Sequence, residues 1–441
     1  MDGDFAGLDD LMTEDWTVVR TLAQAYGAWI TDYGIDGFRI DTAKHVDPYF
    51  FGRWLPLVQE TARAAGKPDF TEFAEAWITD PAQLAELMRA RSLPSVLDFG
   101  FQDAARQYVT GRATGGSLAA FFAEDDYYTT ATTNAYGLTT FLGNHDMGRI
   151  GFFLATGTSA TGPALLERDL LAHDLLYLTR GVPVVYYGDE VGMTGSGDGT
   201  DRNARQDMFS TQVTRWQTEQ RIGSAPVGTG SSFDETSPIE THLAALAALR
   251  ASYPALATGA QITRYGSGPV YVASRIDAAD RREYLVAFNT GDAAASVTVP
   301  TSTPGSAWTP LLGAPATSSD AAGRAVVSVP PRSSVVLRAA QQLPQPAAPS
   351  VRVVARADAI TGSYRLTATV PGADPSTVTF AVRRPGGAWT TVGTDDARPF
   401  RVYVPAVAGA RGRVQVAAVV RDSAGQVATS APVAATLTPF E

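Results

Sequence analysis

Gly37-Phe38-Arg39-Ile40-Asp41-Thr42-Ala43-Lys44-His45 is the stretch on which the reading of the chain turns. Residues 35–40 have the apolar content of a short buried strand. The run then ends in a carboxylate, a lysine and a histidine, which core packing does not require. Alternation along a strand puts Arg39 and Asp41 on the same side. A charge near a core is costly unless it is paired. Pairing with Arg39 is therefore expected to keep Asp41 ionised and low in pKa. An ionised carboxylate at the C-terminal end of a strand is a candidate nucleophile. A purely structural Arg–Asp pair fits the same stretch.

Outward from this stretch, helical and strand-like segments alternate. Apolar spacing predicts helices over 15–33, from Pro48 to Gly66, and over 81–91, 101–110, 117–124, 163–180 and 239–252. Further strand-like runs fall at 69–76, 95–99, 138–142 and 182–187. Such alternation predicts parallel strands joined by right-handed crossovers. Polar residues recur just past the strand ends: Asp41, Glu75, Asp98, Asp146 and the Asp189-Glu190 pair. A (β/α) barrel keeps its active site at that end of its strands. A doubly wound sheet fits less well, because no glycine-rich phosphate loop follows any strand.

Residues 188–238 are rich in Gly, Ser, Asp and Thr and are longer than an ordinary connection, which marks a functional loop. The expected catalytic part therefore spans 1–259. Residues 260–339 switch to alternation, as in Tyr284-Leu285-Val286-Ala287-Phe288, and are expected to form an antiparallel β domain. Residues 340–350 read as a Pro/Ala/Gln linker. Residues 351–441 carry the short alternating strands of an immunoglobulin-like β-sandwich module.

Among the 441 residues, 45 acids outnumber 35 basic residues for a net charge of -10. This argues against a nucleic-acid partner and says little about a neutral ligand such as a sugar. The absence of cysteine excludes disulfides and thiolate chemistry. No apolar run approaches membrane-spanning length, so no membrane partner is expected. Met1-Asp2-Gly3-Asp4-Phe5 is acidic and polar, unlike a signal peptide.

Three strand-end carboxylates, Asp41, Glu75 and Asp146, are the candidates for chemistry. Glu75 lies in Phe73-Ala74-Glu75-Ala76-Trp77, where apolar neighbours are expected to raise its pKa. Asp146 follows Asn144-His145, polar groups that a core strand does not favour. Carboxylates in unlike environments are the recurring solution to glycosidic cleavage: one attacks the anomeric carbon while another protonates the leaving oxygen. A third can steady the developing oxocarbenium charge. A separation of about 5–5.5 Å between the first two implies retention, and about 6.5–9.5 Å inversion. Taken singly, Glu75 also reads as a solvated strand-end acid, His145 as a structural histidine and Trp77 as core. Asp198, Asp201 and Asn203 could ligate a hard cation but lack full calcium-loop spacing. No His-Glu-x-x-His or phosphate loop occurs. Gly195-Ser196-Gly197 lacks the strand-turn-helix setting of a serine nucleophile.

The opening stretch resembles the fourth-strand motif of the alpha-amylase family of retaining glycoside hydrolases. Phe73-Ala74-Glu75-Ala76-Trp77 resembles its fifth-strand motif, and Phe141-Leu142-Gly143-Asn144-His145-Asp146 its seventh. Gly181-Val182-Pro183-Val184-Val185-Tyr186-Tyr187-Gly188-Asp189-Glu190 looks like the eighth strand. The resemblance covers roughly residues 8–338. It implies Asp41 as nucleophile, Glu75 as general acid/base and Asp146 as transition-state stabiliser. Arg39, Lys44, His45, Trp77 and His145 would then bind substrate. The family's third-strand motif, an Asp-rich strand ending in Asn-His, is absent. The expected fold is thus a (β/α)8 TIM-type barrel represented only by its C-terminal five strands, followed by the β domain and the sandwich. An upstream segment completing the barrel is the expected partner, besides an α-glucan polysaccharide or oligosaccharide. Calcium belongs to the full-length parent, with its usual site incomplete here. The implied activity is retaining hydrolysis of α-1,4-glucosidic bonds in starch-like glucans, by an extracellular parent enzyme. Transglycosylation, α-1,6 debranching, or glucan binding without catalysis are the alternatives.

Overall fold

The computed structural model describes Gly7 and residues 10–195, 201–233, 236–313, 315–358, 363–405 and 412–437. Its first part alternates helix and strand: α1 (Trp16–Tyr33), β1 (Gly37–Ile40), α2 (Phe50–Ala64), β2 (Thr71–Ala74), α3 (Pro81–Arg91), α4 (Phe99–Val109), α5 (Gly115–Phe122), β3 (Thr139–Phe141), α6 (Ile150–Gly157), α7 (Gly162–Leu178) and β4 (Val182–Val184). The helix ends follow from local chemistry. Asp15 caps α1, its Oδ1 accepting from the Thr17 amide at 2.7 Å, and Gly34 ends the helix in the left-handed conformation at φ 70°. Asp80 caps α3 ahead of Pro81 in the first turn.

β1 pairs with β2, and β3 with β4, both in parallel. Between these pairs residues 96 and 97 make only isolated parallel bridges, to Ala74 and Thr139. The expectation of a (β/α)8 barrel represented by its C-terminal five strands is therefore overturned. The parallel strands are two separate two-stranded sheets in the N-terminal half, the other sheets are antiparallel, and no closed barrel occurs among the described residues. The reasons are local. A barrel needs a continuous ladder around its whole circumference, but these strands are three or four residues long. The strand expected at 95–99 is cut short because Asp98 turns to cap α4, accepting from the Phe101 amide at 2.8 Å. In β4, Pro183 has no N–H to give to a ladder, and Val182 and Val184 remain exposed.

After α8 (Thr214–Gln217), α9 (Pro238–Ser252) and α10 (Pro254–Thr258) come β5 (Ala260–Ser267), β6 (Val270–Asp277), β7 (Arg282–Asn289), β8 (Ala295–Pro300), β9 (Ala307–Leu312), β10 (Thr317–Ser318), β11 (Arg324–Val329) and β12 (Ser333–Ala339). They form an antiparallel sheet of order β10-β9-β12-β7-β6-β5 beside a β11-β8 pair. The leucine stripe of α7 packs here: Leu171, Leu175 and Leu178 share one core with Tyr108 of α4, Tyr271 and Ala273 of β6 and Val286 of β7. A second core joins α1, α2 and α3 to β1 and β2 through Val19, Trp54, Leu84 and Ala74. The last strands are β13 (Arg352–Asp358), β14 (Ser363–Thr369), β15 (Ser376–Arg383), β16 (Thr390–Asp395), β17 (Arg401–Pro405), β18 (Gly412–Asp422), β19 (Val427–Thr429) and β20 (Val433–Leu437). They make a β13-β14-β17 sheet and a five-stranded sheet of order β16-β15-β18-β19 in which β20 also pairs with β18, enclosing a core of their own. Among the described residues no helix is long and apolar enough to cross a membrane.

The C-terminal strands rest on residues 123–136 of the first part. The Arg401 guanidinium pairs with Asp126 at 2.5 Å, the Tyr136 hydroxyl donates to Asp396 at 3.0 Å, and the rings of Tyr127 and Tyr403 lie 4.6 Å apart. Burial pushes the Asp126 and Asp395 carboxyls up, against the opposing pull of Arg401 on the former. It pushes Asp396 up to about 6, opposed by the Tyr136 hydrogen bond and Arg275 and reinforced by Asp125. A carboxyl whose folded pKa is raised stabilises the folded contact fully below the ordinary carboxylate range and loses that contribution as pH rises through the folded value. The interface is therefore expected to hold more tightly at pH 5 than at pH 8. Hydrogen exchange of segments 123–136 and 393–403 should be slower at pH 5, after correction for intrinsic rates. Asp396→Asn keeps an acceptor for Tyr136 and should reduce the difference, leaving the share due to Asp126 and Asp395. An equal pH response in the variant contradicts the assignment.

Candidate active site

The site begins where β1 ends. The Arg39 guanidinium donates to Asp41 Oδ1, joining the two side chains read from the sequence as a pair. The Asp41 side chain is 65% exposed, so it faces open solvent rather than the core. Thr42 then takes a left-handed φ of 46°, a strained choice for a β-branched residue. What holds it is visible next door. Its amide donates to Glu75 Oε2 at 2.9 Å, the Ala43 amide donates to the Glu75 carbonyl at 2.9 Å, and the Glu75 amide donates to the Ile40 carbonyl at 2.7 Å. The ends of β1 and β2 are thus stitched together, with Asp41 and Glu75 on adjoining turns. Glu75 is partly exposed and spends one oxygen on a backbone amide.

Lys44 and His45 follow in a short 3-10 turn. The Lys44 ammonium lies 3.4 Å from the Trp77 carbonyl, and the Arg91 guanidinium holds the Lys44 carbonyl at 3.0 Å. His45 is exposed. Trp77 is not core: it is 45% exposed and stacks on Phe99 with centroids 5.4 Å apart. Phe99 in turn meets Phe141 edge-on at 5.1 Å. These rings run from the end of β2 to the strand β3 that leads into His145 and Asp146.

His145 and Asp146 sit in a tight loop. The Asn144 and Gly148 backbones bond each other at 3.1 and 3.2 Å. Asn144 Oδ1 accepts from the amides of Asp146 and Met147, both at 2.9 Å. A Cβ on Gly143 would meet the Gly148 carbonyl at 2.4 Å, so only glycine permits this closure. His145 Nε2 lies 3.2 Å from Asp146 Oδ2. Because all these strands are parallel, this loop lies at the same end as Asp41 and Glu75. Neither Asp41 nor Glu75 shares a hydrogen bond or ion pair with His145 or Asp146.

Sequence reading missed Arg205. Its guanidinium reaches Asp146 Oδ1 at 3.2 Å and donates to the His145 carbonyl at 3.1 Å. The available signal was an arginine beside acids inside the long loop, where Asp198, Asp201 and Asn203 read only as ligands a hard cation could use. Asp198 of that reading lies outside the described residues. Asp201 pairs with Arg205 at 3.7 Å, and a carboxylate held by a guanidinium is a poor calcium ligand. Among the described residues no three His, Cys, Asp or Glu side chains group as a metal site. Two of the other strand-end acids are structural. Asp98 is fully buried against Arg180, and Asp189 is buried against Arg149 at 2.8 Å.

The sequence model described as alpha amylase, catalytic domain matches residues 1–226. An alpha-amylase of Streptomyces lividans is 42% identical over 435 residues, covering 97% of this chain and 47% of that protein. A cyclomaltodextrin glucanotransferase of Niallia circulans is 28% identical over 311 residues, covering 69% of this chain and 37% of that protein. The chain thus spans about half the length, or less, of these curated relatives. Among solved structures, an alpha-amylase from Geobacillus thermoleovorans in complex with acarbose superposes with a TM-score of 0.62 at 22% identity, over 77% of this chain and 67% of that one, a likeness of fold. With more than half of its residues matched by the catalytic-domain model, the chain belongs to the alpha-amylase family.

Proposed function

We propose that the chain acts on α-1,4-glucosidic bonds of starch-like glucans with retention, using Asp41 as nucleophile, Glu75 as general acid/base and Asp146 as transition-state stabiliser. The observation that carries this reading is the Thr42 amide bonded to Glu75 Oε2, which ties the turn bearing Asp41 to the second carboxylate. In the first half-reaction Glu75 gives its proton to the glycosidic oxygen while Asp41 attacks the anomeric carbon and the C–O bond to the leaving sugar breaks. In the second, the Glu75 carboxylate takes a proton from water, the water oxygen bonds to the anomeric carbon, and Asp41 departs. Arg39 fixes the orientation of Asp41. Lys44 and His45 serve the leaving-group side, Trp77 offers a ring to a sugar face, and His145 binds sugar hydroxyls. An extracellular polysaccharide is the setting this chemistry suits.

Transfer is the second reading, favoured by the likeness to a cyclomaltodextrin glucanotransferase. There a sugar hydroxyl takes the place of water. The test is incubation with a fluorinated maltosyl fluoride followed by peptide mass mapping, together with NMR of the first-formed anomer from maltoheptaose. A glycosyl adduct on Asp41 and an α product are expected. A β product, or an adduct on another residue, removes the assignment. Longer oligosaccharides in place of reducing ends mark transfer.

Arg205 acts in this scheme by holding Asp146 and the His145 carbonyl in place. Arg205→Gln is expected to lower kcat roughly tenfold with KM nearly unchanged, because small misplacements of a catalytic group cost rate rather than ground-state binding. A rise in KM with kcat unchanged would mark Arg205 as a binding residue instead.

A further inference from the structure

Arg205 holds Asp146 from a loop, so the placement of its backbone decides how well that contact is made. Its side chain is 48% exposed and reaches the His145 carbonyl, Asp146 and Asp201. The next residue is turned inward. Gln206 is 3% exposed and uses both ends of its amide. Its Oε1 accepts from Arg149 Nε at 2.8 Å, and its Nε2 donates to the Glu219 carboxylate at 2.9 and 3.0 Å. A guanidinium only donates and a carboxylate only accepts, so one orientation of the amide serves both. Arg149 is fully buried and directly follows the Asn144–Gly148 closure that carries His145 and Asp146. Its Nη1 donates to the Tyr187 carbonyl at 2.5 Å and to Asp189 Oδ1 at 2.8 Å, which fixes it to the segment after β4. Glu219 is 8% exposed, and its Oε1 accepts from the Gly195 and Thr194 amides at 2.7 and 3.1 Å. A Cβ on Gly195 would meet the Asn203 carbonyl at 2.7 Å, so the turn that Glu219 holds packs against the segment leading to Arg205.

We propose that Gln206 is a positioning residue for the reaction: clamped between Arg149 and Glu219, it sets Arg205 against Asp146. The inference rests on the role given to Asp146 above. Gln206 touches no sugar and no reacting atom. It acts through its neighbour, because the backbone it pins is the backbone from which Arg205 reaches out. The Asp146 loop and the long loop are thereby joined twice, at the tip through Arg205 and at the stem through Arg149 and Gln206. Hydrogen bonds from buried charged groups are the strong kind, and one left unmade is costly. Removing the amide frees residues 201–206 to drift from the Asp146 loop, and a small drift there costs rate.

The test uses the full chain, with maltoheptaose turnover and hydrogen exchange across residues 143–149 as separate readouts. Gln206→Leu is expected to lower kcat about threefold or more with KM within about twofold. In an Arg205→Gln background the same change should cost less than about a further twofold, because its effect passes through Arg205. Gln206→Glu combined with Glu219→Gln exchanges donor and acceptor, keeps an acceptor for Arg149 and should recover most of the lost kcat. Exchange across 143–149 should be faster in Gln206→Leu, no faster again in the double variant with Arg205→Gln, and native-like in the exchanged pair. If Gln206→Leu fails to fold by circular dichroism, Gln206→Asn, one methylene too short to reach both partners, carries the same comparisons. Unchanged kcat and exchange in a folded single variant, losses that add to those of Arg205→Gln, or no recovery in the exchanged pair overturns the proposal. A native chain that leaves maltoheptaose intact overturns the glucan reading instead, and the exchange comparison then decides the role of Gln206 by itself.

Discussion

Asp41→Asn is expected to lower glucan hydrolysis by at least about a thousandfold while leaving glucan affinity within about threefold. The substitution keeps the shape of the side chain. Its amide oxygen can still accept from Arg39, which donates to Asp41 Oδ1 in the native chain. The strained turn at Thr42 does not depend on the Asp41 carboxylate, because the amides of Thr42 and Ala43 are held by Glu75. The fold and the proposed acid/base therefore stay in place, and only the group proposed to attack the anomeric carbon is lost. An amide oxygen is a far weaker nucleophile than a carboxylate and cannot form the glycosyl ester. A loss confined to kcat is the mark of an interaction made in the transition state. The measurement is reducing-sugar release from maltoheptaose, paired with calorimetric titration of the same oligosaccharide. Native-like turnover by the variant takes the nucleophile role away from Asp41. Loss of binding together with turnover would instead place Asp41 among the residues that hold the sugar.

The same stretch shows how far sequence carries. Helix α3 was legible to the residue because Pro81 opens it and its apolar spacing is regular. The pairing of Arg39 with Asp41 followed from strand alternation alone. Strand-end acids, however, came as an undifferentiated set. What separates Asp98 from Asp41 is a guanidinium 82 residues along the chain, at Arg180, and local composition carries no record of it. What separates Asp146 from an ordinary loop acid is Arg205, 59 residues on. The barrel was misjudged for a related reason. Apolar runs announce strands, but the extent of a ladder depends on pairing between runs, and here Asp98 and Pro183 cut the ladders short. Resemblance to the family supplied the roles proposed for Asp41, Glu75 and Asp146, while the hydrogen bonds around Thr42 and Asn144 supply the local physical reasons these groups hold their positions.

Arg180→Met is expected to destabilise the chain by about 3–5 kcal/mol, the cost of stranding one buried and one partly buried carboxylate without their cation. Arg180 is 1% exposed and Asp98 is fully buried. The guanidinium donates to Asp98 Oδ2 at 2.5 Å and to both oxygens of Asp125 at 2.6–2.9 Å. The rings of Phe121 and Phe122 lie 5.2 and 5.3 Å from it. Burial alone would lower the Arg180 pKa, but Asp125 and Asp98 outweigh it and raise the value. Asp98 also caps α4, and Asp125 precedes the Asp126 that binds Arg401 of the sandwich. One side chain thereby braces the parallel strands, α4 and the surface on which the C-terminal strands rest. Methionine fills a comparable volume without charge, so the loss measures the missing cation rather than a cavity. The readout is the midpoint of thermal unfolding by near-ultraviolet circular dichroism, with hydrogen exchange across residues 99–109 to locate the damage. Because several cores share the chain, the midpoint of the first transition is the relevant quantity. Adding Asp98→Asn to Arg180→Met should recover part of the loss, since it removes one of the stranded charges while an amide oxygen can still accept from Phe101. A single variant that melts within about 0.5 kcal/mol of the native chain, a change ordinary for surface substitutions, would mean that water or rearranged side chains replace the guanidinium at no cost.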